Sequence, residues 1–419
     1  MAHTPIQTQK GKSPFYPGQP VPVEYFVGRR AEIQRILERG VGQVAAGKPS
    51  AFFVQGEYGI GKSSIAGYAQ SVAERENGLH AIYATLGAVE TMDGVGAAIL
   101  EATVRSGILR PKQRMEVIRH WLSKYIGEQS LFGVTLRADK LKEDAPKISS
   151  GILPFLCEVL EKLKDDGVKG IFLVLDEING ITRDPKFAHF LKGLVDTNAM
   201  GSRPLPLLLM LCGVEERRRE MIRHHQPIDR IFDVVQIDKM TREEMDGFFL
   251  KTFGSIHVQV EEAALHFMSH YSAGFPKIMH LVGDSAFWCD QDGVIDIADA
   301  TKAVVDAAHE VGRKYVDQQV YAALQSKDYR AILDEVAEHG ISFKKNEIAN
   351  KLNDSQKKKF NNFLQKMKRL HVLRAGENRG EYVFNLRMVH LYLWLNRSAK
   401  RATTRTRIPG TIIPSTAPR

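Results

Sequence analysis

Hydrophobic positions first recur at helical spacing between Arg30 and Arg39, where Ile33, Ile36 and Leu37 share a face, and the segment runs on towards Val44 until AGKPS breaks it. Short apolar runs then alternate with amphipathic segments. Strands are expected at Ser50–Gln55, His80–Leu86, Ile171–Leu175, Leu205–Cys212 and Ile231–Ile237, and helices at Lys62–Arg75, Asp93–Arg105, Gly151–Lys164, Phe187–Val195 and Glu215–His224. The strands are apolar at nearly every position, as parallel strands covered on both faces are. The expected fold is α/β, with five parallel strands joined by crossover helices. Residues 110–150 form a charged insertion that the pattern does not assign.

Beyond Lys239 the period becomes helical. Thr241 followed by Glu244 reads as a capping box, and helices continue through Val316. From about residue 325 a third pattern appears: helices at Tyr329–Glu338, Lys345–Leu352 and Ser355–Leu370, then short apolar strands at Val372–Arg374 and Tyr382–Asn385 around a glycine-containing turn, AGENRG. Three helices and a β-hairpin suggest a winged helix. Residues 1–22 are polar and proline-rich, which predicts an extended arm rather than a packed element. After Arg397 apolar periodicity stops, which predicts a disordered tail.

Composition changes this picture little: 43% apolar and 26% charged residues are ordinary for a globular chain of 419 residues with two or three domains. Three cysteines, Cys157, Cys212 and Cys289, lie far apart without CxxC spacing, so neither a disulfide framework nor a cysteine zinc site is expected. No signal peptide and no apolar run long enough for a bilayer is visible, so a cytoplasmic chain without a membrane partner is expected. Charge placement says more. Of the net +9, residues 396–419 supply six basic and no acidic side chains, and residues 325–395 supply 14 basic against 8 acidic, which leaves −3 for the first 324 residues.

Chemistry enters at Gly56–Ser63. GEYGIGKS matches the P-loop pattern GxxxxGK[ST] and lies between an apolar strand and a helix, where a phosphate-binding loop belongs. Its backbone N–H groups (Gly56, Glu57, Tyr58, Gly59, Ile60, Gly61, Lys62, Ser63, Ser64) suit phosphate, with Lys62 neutralising charge and Ser63 a ligand for Mg²⁺. IFLVLDE at Ile171–Glu177 adds an acid pair at a strand end. Asp176 is placed to hold Mg²⁺ and Glu177 to act as general base on a water. The guanine-reading NKxD is absent, so ATP is the expected nucleotide and ATP hydrolysis the expected activity.

With FVGRRAEI at Phe26–Ile33, the P-loop, IFLVLDE, and GFPK at Gly274, the chain resembles AAA+ ATPases. It is most similar to the group containing origin-recognition initiators, related archaeal and bacterial ATPases, and STAND signalling ATPases. The resemblance spans about residues 13–395 and implies an AAA+ nucleotide-binding core over 23–239, a helical lid over 240–319, a winged-helix domain over 320–396 and a basic tail over 397–419. It implies that Val27 and Gly28 lie against adenine and that Arg29 braces that pocket. Lys277 takes the place of the family's sensor 2. The sensor 1 place falls at Cys212 or Gly213, where the family normally has a polar side chain; slow turnover is therefore open. Arg230, before the fifth strand, takes the place of an arginine finger, with Arg217, Arg218, Arg219 and Arg223 as rivals, and a finger acting on a neighbour implies a homo-oligomer.

Two readings follow. In one the chain is a nucleotide-controlled, DNA-associated switch, with Lys357, Lys358, Lys359, Asn361, Asn362, Lys366 and Arg369 on the outer face of the third winged-helix helix, Phe360, Phe363, Leu364 and Met367 buried, and Arg374 and Arg379 on the wing. In the other it is a STAND-like signalling or defence ATPase whose winged helix binds protein. His266 and His270 have the i, i+4 spacing of metal ligands but lack the glutamate of HExxH, so a structural pair is expected. The sequence leaves open the pathway, the stoichiometry and the sensor 1 residue.

Overall fold

The computed structural model describes residues 10–19, 21–107 and 145–405. Contacts divide the chain into two units, Gly18–Met240 and Thr241–Arg419 together with Met1–Pro17. Most of the charged insertion lies outside the described residues, and its end begins a helix at Ala145–Leu163.

In the first unit, five strands pair in the order β2-β3-β4-β1-β5: β1 (Ser50–Gly56), β2 (Leu79–Thr85), β3 (Gly170–Asp176), β4 (Leu207–Gly213) and β5 (Asp233–Ile237). Every pairing is parallel. All residues of β3 and β4 are buried, as expected for strands covered on both faces. The crossover helices Lys62–Asn77, Met92–Arg105, Pro185–Met200 and Glu215–His224 fall close to the ranges read from periodicity. Because the strands are parallel, β1, β3 and β4 end at the same edge, at Gly56, Asp176 and Gly213. That edge is where open α/β sheets bind ligands.

The second unit starts at the capping box. The Thr241 hydroxyl accepts from the Glu244 N–H at 3.2 Å, and Glu244 accepts from the Thr241 N–H at 2.9 Å. Helices Arg242–Gly254, Glu262–Ser272, Pro276–Cys289 and Ile297–Val311 follow, joined by a two-strand parallel pair, β6 (Gln259–Val260) and β7 (Val294–Ile295).

The arm at residues 10–17 has no regular structure, but it is packed, contrary to the expectation. Phe15 is only 4% exposed and lies edge-on to Phe253 at 4.8 Å and Phe248 at 5.9 Å. It fits because residue 283 is glycine: a Cβ there would stand 2.2 Å from the Phe15 ring. The Ser13 hydroxyl donates to Asp284 at 2.6 Å, and the Tyr16 N–H donates to Nδ1 of His280 at 3.2 Å. Burial pushes the His280 pKa down to about 4, so the ring stays neutral and keeps that nitrogen as an acceptor. Polarity of the arm hid one aromatic anchor. Phe15→Ala is expected to lower stability by about 3 kcal/mol, as truncation of a buried phenylalanine does. A urea midpoint unchanged from wild type would show that the arm contributes nothing.

Further along, helices Lys327–His339, Lys345–Ala349 and Asp354–Arg369 pack with an antiparallel sheet of order β8-β10-β9: β8 (Ser342–Lys344), β9 (Leu373–Ala375) and β10 (Glu381–Phe384). Phe360, Phe363, Leu364 and Met367 are buried as the helical spacing requires. Two features differ from the sequence reading. β8 adds a third strand, and a helix at Arg387–Arg405 runs through the start of the stretch expected to be disordered. Met388, Val389, Tyr392 and Leu393 anchor that helix. Arg397 is drawn into it as well, with Glu338 at 2.7 Å and Glu335 at 3.3 Å, so it is no free tail cation. Residues 406–419 lie outside the described residues. Among the described residues no helix is long and apolar enough to cross a membrane.

Candidate nucleotide site

The loop between β1 and helix Lys62–Asn77 is built by backbone conformation. Gly59 and Gly61 adopt φ of 75° and 102°, a region where side chains are strained, and the helix starts directly after Gly61. Successive N–H groups and the helix's positive end then favour an anion at this point. Lys62 reaches back across the loop and donates to the carbonyls of Gly56 at 2.9 Å and Glu57 at 2.8 Å. Its ammonium lies 5.6 Å from the ring centre of Tyr58, a side chain that is 63% exposed. Burial lowers the Lys62 pKa, and the charges of Asp176, Glu177 and Glu57 oppose that shift.

Asp176, at the end of β3, is buried. One carboxylate oxygen accepts the Glu177 N–H at 2.8 Å and the other accepts the Tyr83 hydroxyl at 2.5 Å. Burial, followed by the charge of Asp176, pushes the Tyr83 phenol far above its ordinary pKa, so it stays protonated. Glu177 differs from its neighbour: it is exposed and holds a positive φ of 56°, uncommon for a side-chain residue. Such strain gathers at functional positions. Asp176, at the end of β3, and Ser63, in the first turn of helix Lys62–Asn77, are both hard oxygen donors, a type that suits Mg²⁺ rather than a soft metal.

Cys212 closes the site from β4. It is wholly buried, and burial, then the charge of Asp176, raises its thiol well above the usual value. It therefore stays a neutral thiol, a weak hydrogen-bond donor. Phe26 packs on Tyr68 of the P-loop helix with ring centres 5.0 Å apart, which sets half-buried Val27 and Gly28 beside that helix. Arg29 is 5% exposed and its guanidinium lies 3.4 Å from the Ile60 carbonyl, so it braces the loop itself.

The candidate arginines separate by their contacts. Arg217 pairs with Glu220 at 2.8 Å, Arg219 with Glu215 at 2.7 Å, and Arg218 with Asp229 while also donating to Gln55 at 3.0 Å. Arg230 and Arg223 are exposed, and among the described residues no carboxylate pairs with either. Arg230 ends a short 3-10 turn, Gln226–Arg230, ahead of β5. Lys277 is an exposed residue in the first turn of helix Pro276–Cys289, in the second unit. His266 pairs with Glu262 at 3.4 Å, and among the described residues no group of three His, Cys, Asp or Glu side chains is placed to hold a metal ion.

The chain superposes on the Walker-type ATPase paby2304 of Pyrococcus abyssi with a TM-score of 0.53 at 16% identity, covering 88% of this chain and 96% of that one. For the ORC2 protein of Aeropyrum pernix, solved as ADPNP–ADP complexes, the TM-score is 0.58 at 12% identity, covering 94% and 97%. The fold is that of P-loop AAA+ ATPases. Neither a family model nor a curated protein matches the sequence. At its end β4 presents a buried thiol, Cys212, and then Gly213. Tyr83 is the residue that sequence reasoning missed. In HAIYATL it reads as one more apolar strand position, and only the register of β2 on β3, with Thr85 opposite Asp176, brings its hydroxyl to the acid.

Proposed function

We propose that this protein is an ATP-binding, ATP-hydrolysing AAA+ switch that associates with DNA and assembles into homo-oligomers. The observation that carries the reading is the convergence of Lys62, Ser63, Asp176 and Glu177 at one edge of the parallel sheet. In it, the P-loop N–H groups and Lys62 hold the phosphates, and Val27 and Gly28 lie against adenine. Ser63 coordinates Mg²⁺ and Asp176 holds it through water; bound there, the ion neutralises phosphate charge. Glu177, exposed beside it, accepts a proton from the attacking water. Cys212 contributes only a weak donor, which favours slow turnover. Arg230 is free to serve a neighbouring subunit, and Lys277 keeps the sensor 2 place that the resemblance gives it. The cytoplasm suits this chemistry.

The three helices and three-stranded sheet of the C-terminal part are read as a winged helix, with helix Asp354–Arg369 presented to the major groove. Lys357, Lys358, Asn361, Asn362 and Arg369 are exposed on it, and Arg374 and Arg379 on the hairpin. Two further cations are engaged internally: Lys359 pairs with Asp328 at 2.6 Å, and half-buried Lys366 donates to the Ala323 carbonyl and lies 5.9 Å from the Tyr329 ring centre. That thinning of the basic face favours the second reading, a STAND-like ATPase whose winged helix meets protein.

One titration series separates the two. The full chain with ATP and Mg²⁺ is expected to bind one nucleotide in calorimetry and to bind duplex DNA in anisotropy with steep salt dependence. Replacing Lys357, Lys358 and Arg369 with alanine is expected to reduce the logarithmic salt slope by about 3, roughly one per lost phosphate contact. DNA affinity unchanged by the three substitutions, or no DNA binding at all, leaves the protein-binding reading. Light scattering with and without ATP checks assembly; a monomer in both conditions removes Arg230 as a finger.

A further inference from the structure

The geometry points to Tyr83 as the positioning residue for metal at this site: its hydroxyl donates to Asp176 and orients the carboxylate expected to hold Mg²⁺. The inference rests on the nucleotide reading above and extends it to a residue outside both motifs.

Three observations support it. The phenol donates to Asp176 at 2.5 Å, at the short end for O–H···O bonds and as expected of a charged acceptor.

Asp176 is fixed from two directions. Its two oxygens take one hydrogen bond each, from the Glu177 N–H at 2.8 Å and from Tyr83, so the plane of the carboxylate is set from both sides. Each oxygen has room for a second donor, such as a metal-bound water. Position on the sheet accounts for the reach. β2 pairs with β3 in parallel, with Tyr83 opposite Val174 and Thr85 opposite Asp176, so the ring extends along the sheet towards the strand ends. Partly buried, it also closes that flank of the acid to water. Outer partners of this type tune affinity, and losing one usually costs about 10- to 100-fold in metal binding.

The test is the Tyr83→Phe variant, which keeps the ring and deletes only the hydroxyl. A fluorescent ATP analogue is titrated onto wild type and variant in EDTA and then across a range of Mg²⁺, and bound Mn²⁺ is counted by paramagnetic resonance with ATP present. The expected result is metal-free nucleotide affinity within about twofold of wild type and a half-saturating metal concentration raised about 10- to 100-fold. Equal metal affinity in variant and wild type overturns the inference. So does tighter metal binding, which would make the hydroxyl a competitor, and so does loss of metal-free nucleotide binding, which would make the ring a part of the packing. Wild type that binds no nucleotide in any condition overturns the nucleotide reading itself, and Tyr83 falls with it.

Discussion

Lys62→Ala is expected to weaken ATP binding at least 100-fold and to bring hydrolysis to background. Lys62 is an ammonium partly buried at the mouth of the loop, beside the carbonyls of Gly56 and Glu57 and near the acids Asp176 and Glu177. Removing it leaves those acids facing the phosphates with no intervening positive charge. A hydrogen bond to a charged group contributes about 1.5–3 kcal/mol, and at the upper end one such bond accounts for a factor of about 100. Lys62→Arg is expected to rescue little, because a planar fork does not reproduce a point charge that bonds two carbonyls of one tight loop. Calorimetry checks the result: wild-type affinity in Lys62→Ala would falsify the placement of the phosphates. The thermal midpoint of the variant serves as control and is expected to shift little, since the side chain is only half-buried and its bonds are to loop carbonyls.

The sheet and the P-loop were legible because both are written locally. Continuous apolar runs such as IFLVL mark strands buried on two faces, and Glu215–His224 is delimited as a helix by the residues within it. The Thr241 capping box needs only two side chains three residues apart, and both of its bonds form. What stayed hidden depends on distant partners. β6 and β7 have two residues each and β8 has three, too short for a period to register. Phe15 sits in a polar arm and becomes a core residue only because residue 283 lacks a Cβ. The helix from Arg387 was obscured by the basic residues at its end, although Met388, Val389, Tyr392 and Leu393 fall on one helical face.

The site shows the same division. Lys62 and Asp176 are named by their motifs, whereas Tyr83 is named only by strand register. The rival arginines are indistinguishable as EERRRE in sequence. Their partners separate them, since three of the four helix arginines already hold a carboxylate. Lys359 and Lys366 carry the opposite lesson. Helical spacing puts them outside, but Asp328 pairs with Lys359, which stays exposed, and the Ala323 carbonyl draws Lys366 in.

Glu177→Gln is expected to lower turnover about 100- to 10,000-fold, the range for loss of a general base, while ATP affinity stays within about threefold. The asymmetry follows from how the two neighbouring acids are held. Asp176 is buried and bonded on both oxygens, so changing it disturbs Tyr83 and the Glu177 backbone together. Glu177 is exposed, turned outward by its positive φ, and its replacement by an amide of the same shape removes only the capacity to take a proton. A role in binding alone would raise KM at constant kcat, and a role in packing would lower the melting temperature. Neither is expected. The measurement is steady-state phosphate release alongside equilibrium binding of ATP: unchanged turnover would transfer the base role to another group, and because Cys212 is held as a neutral thiol, it could not inherit that role at neutral pH. On the proposed reading a variant that binds ATP without turning it over also holds the assembly, so the oligomer proposed to use Arg230 is expected to persist longest in Glu177→Gln.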